Sequence, residues 1–182
     1  MRVIRCERMN PLRTYDYLAL VRTRLFDSVR PLSNEQYRRE FPFGLKTIGS
    51  TMAHLMISEW FYIERMQGRT VPPYDQWPIQ YESPPAFDVI QSTWTSQTAR
   101  VREAIAGEHD WNRTIRYVTF PDDKGRRFEI TTSPSDIITQ LSLHEMHHRA
   151  QVMAMLRMTP GATPVEDVDF NDLMYQRREI TA

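Results

Sequence analysis

Apolar residues recur at steps of three and four along four stretches of the chain, and each stretch predicts a long amphipathic helix. The first carries Leu12, Tyr15, Leu18, Val21, Leu25 and Val29. Asn10-Pro11 opens it as N-cap and first helical residue, and Pro31 ends it. The second runs from about Thr47 to Gln67 and stops at Gly68. The third runs from about Ala86 to Ala106, with Phe87, Ile90, Trp94, Val101 and Ile105 on one face, and stops at Gly107. The fourth opens at Ser133-Pro134-Ser135-Asp136, where Ser133 caps and Asp136 completes a capping box, and continues to about Met158. Residues 33 to 38 predict one further helical turn capped by Ser33 or Asn34, and the tail around Phe170 and Leu173 a short final helix.

Two stretches break this rhythm. Val71 to Pro85 holds five prolines, too many for regular structure, and is long enough to cross the molecule. Thr114 to Val118 and Arg127 to Thr131 alternate and are rich in β-branched and aromatic residues around Asp122-Asp123-Lys124-Gly125, a β-hairpin signature. The pattern predicts an all-α fold over residues 1–182 as one domain. It is a four-helix bundle with a long crossover between helices two and three and a small hairpin between helices three and four. The long crossover permits helices two and three to run parallel.

Composition narrows the function classes. The 23 basic and 23 acidic side chains cancel, so bulk charge gives no case for nucleic acid or a membrane surface. No run reaches the roughly 18 apolar residues of a membrane span. The first ten residues carry three arginines but no signal-like apolar run. The single cysteine, Cys6, excludes an intrachain disulfide and suits a reducing cytoplasm. Helix one has apolar residues on more than one side, including Tyr17, Leu20 and Phe26. The extra side suggests a homodimer, unless the hairpin or the tail covers it.

The candidate chemistry is histidine. Three of the five histidines fall in His144-Glu145-Met146-His147-His148, inside helix four. His144 and His148 are four apart and project from one face, a spacing that lets two imidazoles bind one metal ion. Positions 137, 141, 144, 148, 151 and 155 form one stripe, which places both histidines on the inward side. His54 is the better third ligand. Its stripe reads Thr47, Thr51, His54, Ser58, Phe61, and the small residues leave a pocket, whereas His109 follows a helix-ending glycine. Three neutral imidazoles leave a divalent ion its charge and an open position, an arrangement suited to activating a bound group. Zinc fits this ligand set best, and nickel or iron also fits. His147, adjacent to His148, points about 100° away and reads as a rim residue.

Glu145 points off the same stripe, which reads as a surface or inter-helix ion pair, with Arg149 as one partner. The segment also matches His-Glu-x-x-His, in which the glutamate is the general base of a metallopeptidase and Glu166 a downstream carboxylate ligand.

Thr47-Ile48-Gly49 with His54 seven residues after the threonine, then His144-Glu145-x-x-His148-Arg149-Ala150-Gln151, resembles the DinB family, the DinB/YfiT-like metalloenzymes. Pro160-Gly161-Ala162-Thr163-Pro164 with Asp167 and Phe170 is similar to that family's ending. Ala150 stands where a glycine is more usual, and the crossover and hairpin are long. The resemblance implies a bundle with a three-histidine metal site at His54, His144 and His148. It also implies a small-molecule substrate such as a low-molecular-weight thiol, since relatives include thiol transferases and a thiol-dependent isomerase. Arg149, Arg69, Tyr74 and Trp77 are candidate substrate contacts. The non-enzymatic alternative is a metal-binding bundle that acts by pairing.

Overall fold

The computed structural model describes residues 10–166 and 168–176, so Cys6 and Asp167 lie outside the described residues. Helix α1 spans Pro11–Val29, and the Asn10 side chain accepts the Arg13 N–H at 3.1 Å. Helix α2 spans Asn34–Arg38 and opens with a reciprocal Ser33–Gln36 capping box. Helix α3 spans Ile48–Met66, capped by Thr47, which accepts the Ser50 N–H at 2.9 Å. The proline-rich crossover holds one 3-10 turn, Tyr74–Gln76, where the sequence predicts no regular structure. Helix α4 spans Phe87–Ala106. Strands β1, Ile115–Val118, and β2, Glu129–Thr132, pair antiparallel with Ile115 opposite Thr132. Helix α5 spans Pro134–Arg157 behind the Ser133–Asp136 capping box, and α6 spans Phe170–Met174. Each side-chain cap satisfies an orphaned amide and contributes about 1 kcal/mol.

The four long helices form the bundle, in the order α1, α4, α3, α5 around its axis. One core cluster joins the end of α1 (Leu25, Val29), the start of α3 (Ile48, Met52), the start of α4 (Ile90, Trp94) and the end of α5 (Val152, Leu156). The other joins the opposite ends, among them Tyr15, Met66, Ile105 and Ile137. The pairing makes the topology up, down, down, up, with α3 and α4 parallel. Among the described residues, no helix is long and apolar enough to cross a membrane.

Between the two clusters lies a buried polar layer. Arg22 Nη2 meets Glu59 Oε2 at 2.5 Å and Glu145 Oε2 at 3.0 Å, and Arg22 Nη1 donates to Thr98 Oγ1 at 2.9 Å. Trp94 Nε1 and Gln97 Nε2 donate to Glu59 Oε1 at 3.0 and 2.8 Å. Arg22, Glu59 and Glu145 are 3%, 0% and 3% exposed. Two buried carboxylates thus share one guanidinium, and burial pushes the Glu145 carboxyl above the usual range.

This layer corrects the reading of α5. Glu145 is an inter-helix ion pair, but it is buried and its partner is Arg22, not Arg149. The inward track of the helix runs through Leu141, Glu145, Arg149 and Val152, while His144, His148 and Gln151 stay half-buried on its flank. Hydrophobic periodicity assigns charged residues to the outside, and here two of them form the centre.

Part of the extra apolar side of α1 is covered from within the chain, while Leu20 is 40% exposed. Tyr17 packs edge-on against Phe170 with centroids 5.0 Å apart, and its hydroxyl donates to the Val168 carbonyl at 2.7 Å. Arg13 reaches the Met174 carbonyl at 2.6 Å. The tail thus covers Tyr17, whereas Leu20 of the same helix remains open to solvent.

Candidate metal centre

His54 comes from the second turn of α3, and His144 and His148 from successive turns of α5. Helices α3 and α5 are antiparallel neighbours, which brings the three rings to one point. His54 Nε2 lies 2.9 Å from His144 Nε2. Ring centroids are 4.9 Å apart for His54 and His144, 4.7 Å for His54 and His148, and 4.6 Å for His144 and His148. One nitrogen from each ring falls within 4.8 Å of the others, a grouping that can hold a metal ion. Among the described residues it is the one such group of three His, Cys, Asp or Glu side chains, and Glu166 is not part of it.

The donor set suits a cation. The His144 Nδ1 atom is buried without a hydrogen-bond partner. The Nε2 atoms of His54 and His144 face each other at 2.9 Å, so one of the two must carry the proton and the other accept it unless a cation takes its place. Burial, then the neighbouring histidines, pushes His144 down to about 3. Burial and His148, opposed by Glu82, push His54 down to about 4. His148 is lowered too, by burial, with Gln151 opposing. All three rings are neutral near pH 7, the state in which imidazole is a ligand.

A second tier of contacts orients these rings. His148 Nδ1 is 2.8 Å from Gln151 Oε1, and Gln151 Nε2 is 3.1 Å from His147 Nε2. With the amide oxygen towards His148, Nδ1 carries the proton and Nε2 is left bare for a ligand bond. His147 is exposed and stands at the rim, as the helical angle predicts. His109 is exposed in the loop after α4.

The histidines open onto a cleft of about 410 Å³ between α3, α5 and the crossover. Phe61, Tyr62, Tyr74, Trp77, Tyr81 and Glu82 line it together with His54 and His144. Tyr81 lies edge-on to His54 at 5.1 Å, and Tyr62 edge-on to His144 at 5.7 Å. Of the candidate substrate contacts, Tyr74 and Trp77 line the cleft. Arg69 is ion-paired with Glu64 at 3.0 Å outside it, and Arg149 is buried against the Tyr17 hydroxyl at 3.2 Å. The sequence reading missed Tyr81 and Glu82. The aromatic spacing Tyr74, Trp77, Tyr81 in a proline-rich segment is the signal that could have found that wall.

Glu145 does not face this cleft. Its carboxylate is bound to Arg22 inside the bundle, so it is not placed to act as a general base there.

No curated protein matches the chain in sequence. A family model described as the DinB superfamily matches residues 17–152, a span that includes His54, His144 and His148. That match covers well over half of the 182 residues, and the helical fold with its small hairpin agrees with it. The chain belongs to the DinB superfamily.

Proposed function

We propose that His54, His144 and His148 hold one divalent metal ion and that the protein is a metal-dependent enzyme acting on a small molecule. The observation that carries this reading is the convergence of three neutral imidazoles, within 4.8 Å, beside an open aromatic cleft. Zinc suits three imidazoles best, with nickel or iron as alternatives. A divalent ion there supplies Lewis acidity, which makes a bound thiol or water more acidic. The chain's own residues do the rest. Gln151 fixes the His148 tautomer, and burial of His54 and His144 keeps both rings unprotonated. Tyr62 and Tyr81 wall off the ring edges from bulk water, and the cleft positions the reacting molecule.

Thiol transfer to an electrophile is favoured over hydrolysis, on family likeness. The reading takes residues 1–182 as one domain, supported by two core clusters that each draw on all four long helices. It places the protein in the cytoplasm on the strength of its single cysteine. Elemental analysis of the purified protein, followed by a panel of thiols and electrophiles, tests it. A metal content near one per chain, with turnover that a chelator abolishes, is the expected result. Metal without turnover across the panel would favour a metal-binding bundle with no catalysis.

A further inference from the structure

We propose that the cleft beside the histidines recognises a small organic cation, a substrate carrying an ammonium or quaternary ammonium group, taking that cleft as the substrate site of the reading above.

The walls supply the first argument. Trp77 stacks on Phe61 at 5.3 Å and meets Tyr74 edge-on at 5.0 Å, and Tyr74 is 6.0 Å from Tyr81. Aromatic faces attract cations through their quadrupole. Of the cleft's rings Phe61 already has a cation, Arg65 at 5.3 Å, and elsewhere Arg22 lies over Trp94 at 4.2 Å and Arg65 over Tyr117 at 4.4 Å. Among the described residues, no cation lies over Tyr74, Trp77 or Tyr81.

The second argument is Glu82. The Tyr74 hydroxyl donates to its carboxylate while accepting the Tyr81 N–H at 3.4 Å, which ties the acid to the aromatic wall. Against partial desolvation, hydrogen bonds from Tyr74 and the backbone hold the carboxyl below the usual range, so it is anionic. Among the described residues, no Lys, Arg or His lies within salt-bridge distance of it, and His54 acts on it only electrostatically from farther away. An uncharged apolar ligand would gain nothing from Glu82. A cation satisfies both the ring faces and the carboxylate, and the cavity size suits a small molecule.

The test is calorimetric titration of the full chain with choline, with ethanolamine and with 3,3-dimethyl-1-butanol, the uncharged isostere of choline. At least one of the two cations should bind about tenfold more tightly than the isostere. Glu82→Gln and Trp77→Ala should each cut that affinity by about tenfold. Glu82→Gln should leave isostere binding unchanged, with circular dichroism reporting an intact fold. Equal binding of cation and isostere, or no binding of either cation, would overturn the proposal. Metal content measured on the same samples separates the two readings. Cation discrimination without metal would sink the metal centre alone, and metal without discrimination would sink the cation site alone.

Discussion

A Cβ atom built on Gly44 would lie 2.7 Å from the side-chain oxygen of Gln151, the atom that meets His148 Nδ1. Gly44 also sits at φ +58, a conformation that side-chain-bearing residues rarely adopt. The turn before α3 is therefore shaped around the residue that orients a candidate ligand. Gly44→Ala should displace the amide and lower metal affinity by about tenfold, in the range seen when outer partners of a ligand are lost. Gln151→Ala should do the same without the backbone strain. A competition titration against a chromophoric chelator measures both, and unchanged affinity in Gln151→Ala would show that the amide does not tune the site.

Single substitutions sort the histidines. His54→Ala, His144→Ala and His148→Ala should each abolish stoichiometric metal, whereas His147→Ala should retain it. Elemental analysis after dialysis reads this directly. Metal loss in His147→Ala would mean that the pair on α5 has been misassigned.

Removing Arg22 isolates Glu59 and Glu145 in the bundle interior. Arg22→Ala should destabilise the fold by about 3–5 kcal/mol, the usual cost of stranding buried charge. Urea unfolding would show it as a lower midpoint. A change within experimental error would mean that the two carboxylates take up protons at little cost.

Proton release reports on the desolvation of the rings. At pH 6.5 an ordinary histidine is about half protonated, so three would release about 1.5 protons on binding a cation. His54 near 4 and His144 near 3 have already lost theirs, which leaves His148 as the main contributor. Calorimetry in two buffers of different ionisation enthalpy should therefore give clearly less than one proton at that pH. The sign for stability follows. Folded-state values below the unfolded one mean that the unfolded chain binds more protons, so these rings contribute stability above about pH 6.5 and lose it as pH falls through about 4 for His54 and about 3 for His144. His144→Ala should flatten that part of the metal-free protein's acid profile.

Ending the chain after Thr163 removes Val165 and α6 and uncovers Tyr17. The truncated protein should melt lower and self-associate more than the full chain, as light scattering would show. Equal masses for the two would mean that the exposed side of α1 is not an adhesive surface.

The helices were legible because their signals are local. Asn10, Thr47 and Ser133 each cap within three residues, and prolines or glycines mark the ends. The α5 pair was legible for the same reason, since four residues make one turn. His54 could be chosen only by its small neighbours. What escaped depends on distant packing. Glu145 reads locally as a surface or inter-helix ion pair with Arg149 at hand, because its actual partner Arg22 lies far away in sequence on another helix. Gly44 and Gln151 are far apart in sequence, and no periodicity links them. Glu82 stood in a stretch whose prolines told only what it would not form.

The candidate ligands ride on helices, whereas much of the wall that would meet a substrate rides on the irregular segment carrying Tyr74, Trp77, Tyr81 and Glu82. The two parts obey different constraints. A helix residue moved by one position turns through about 100° and takes its neighbours' packing with it, so the histidines have little room to change. The crossover is bound by few such rules, and exchanges there reshape the cleft while leaving the bundle's core packing intact. One scaffold can in this way keep a fixed reactive centre while its choice of molecule diverges.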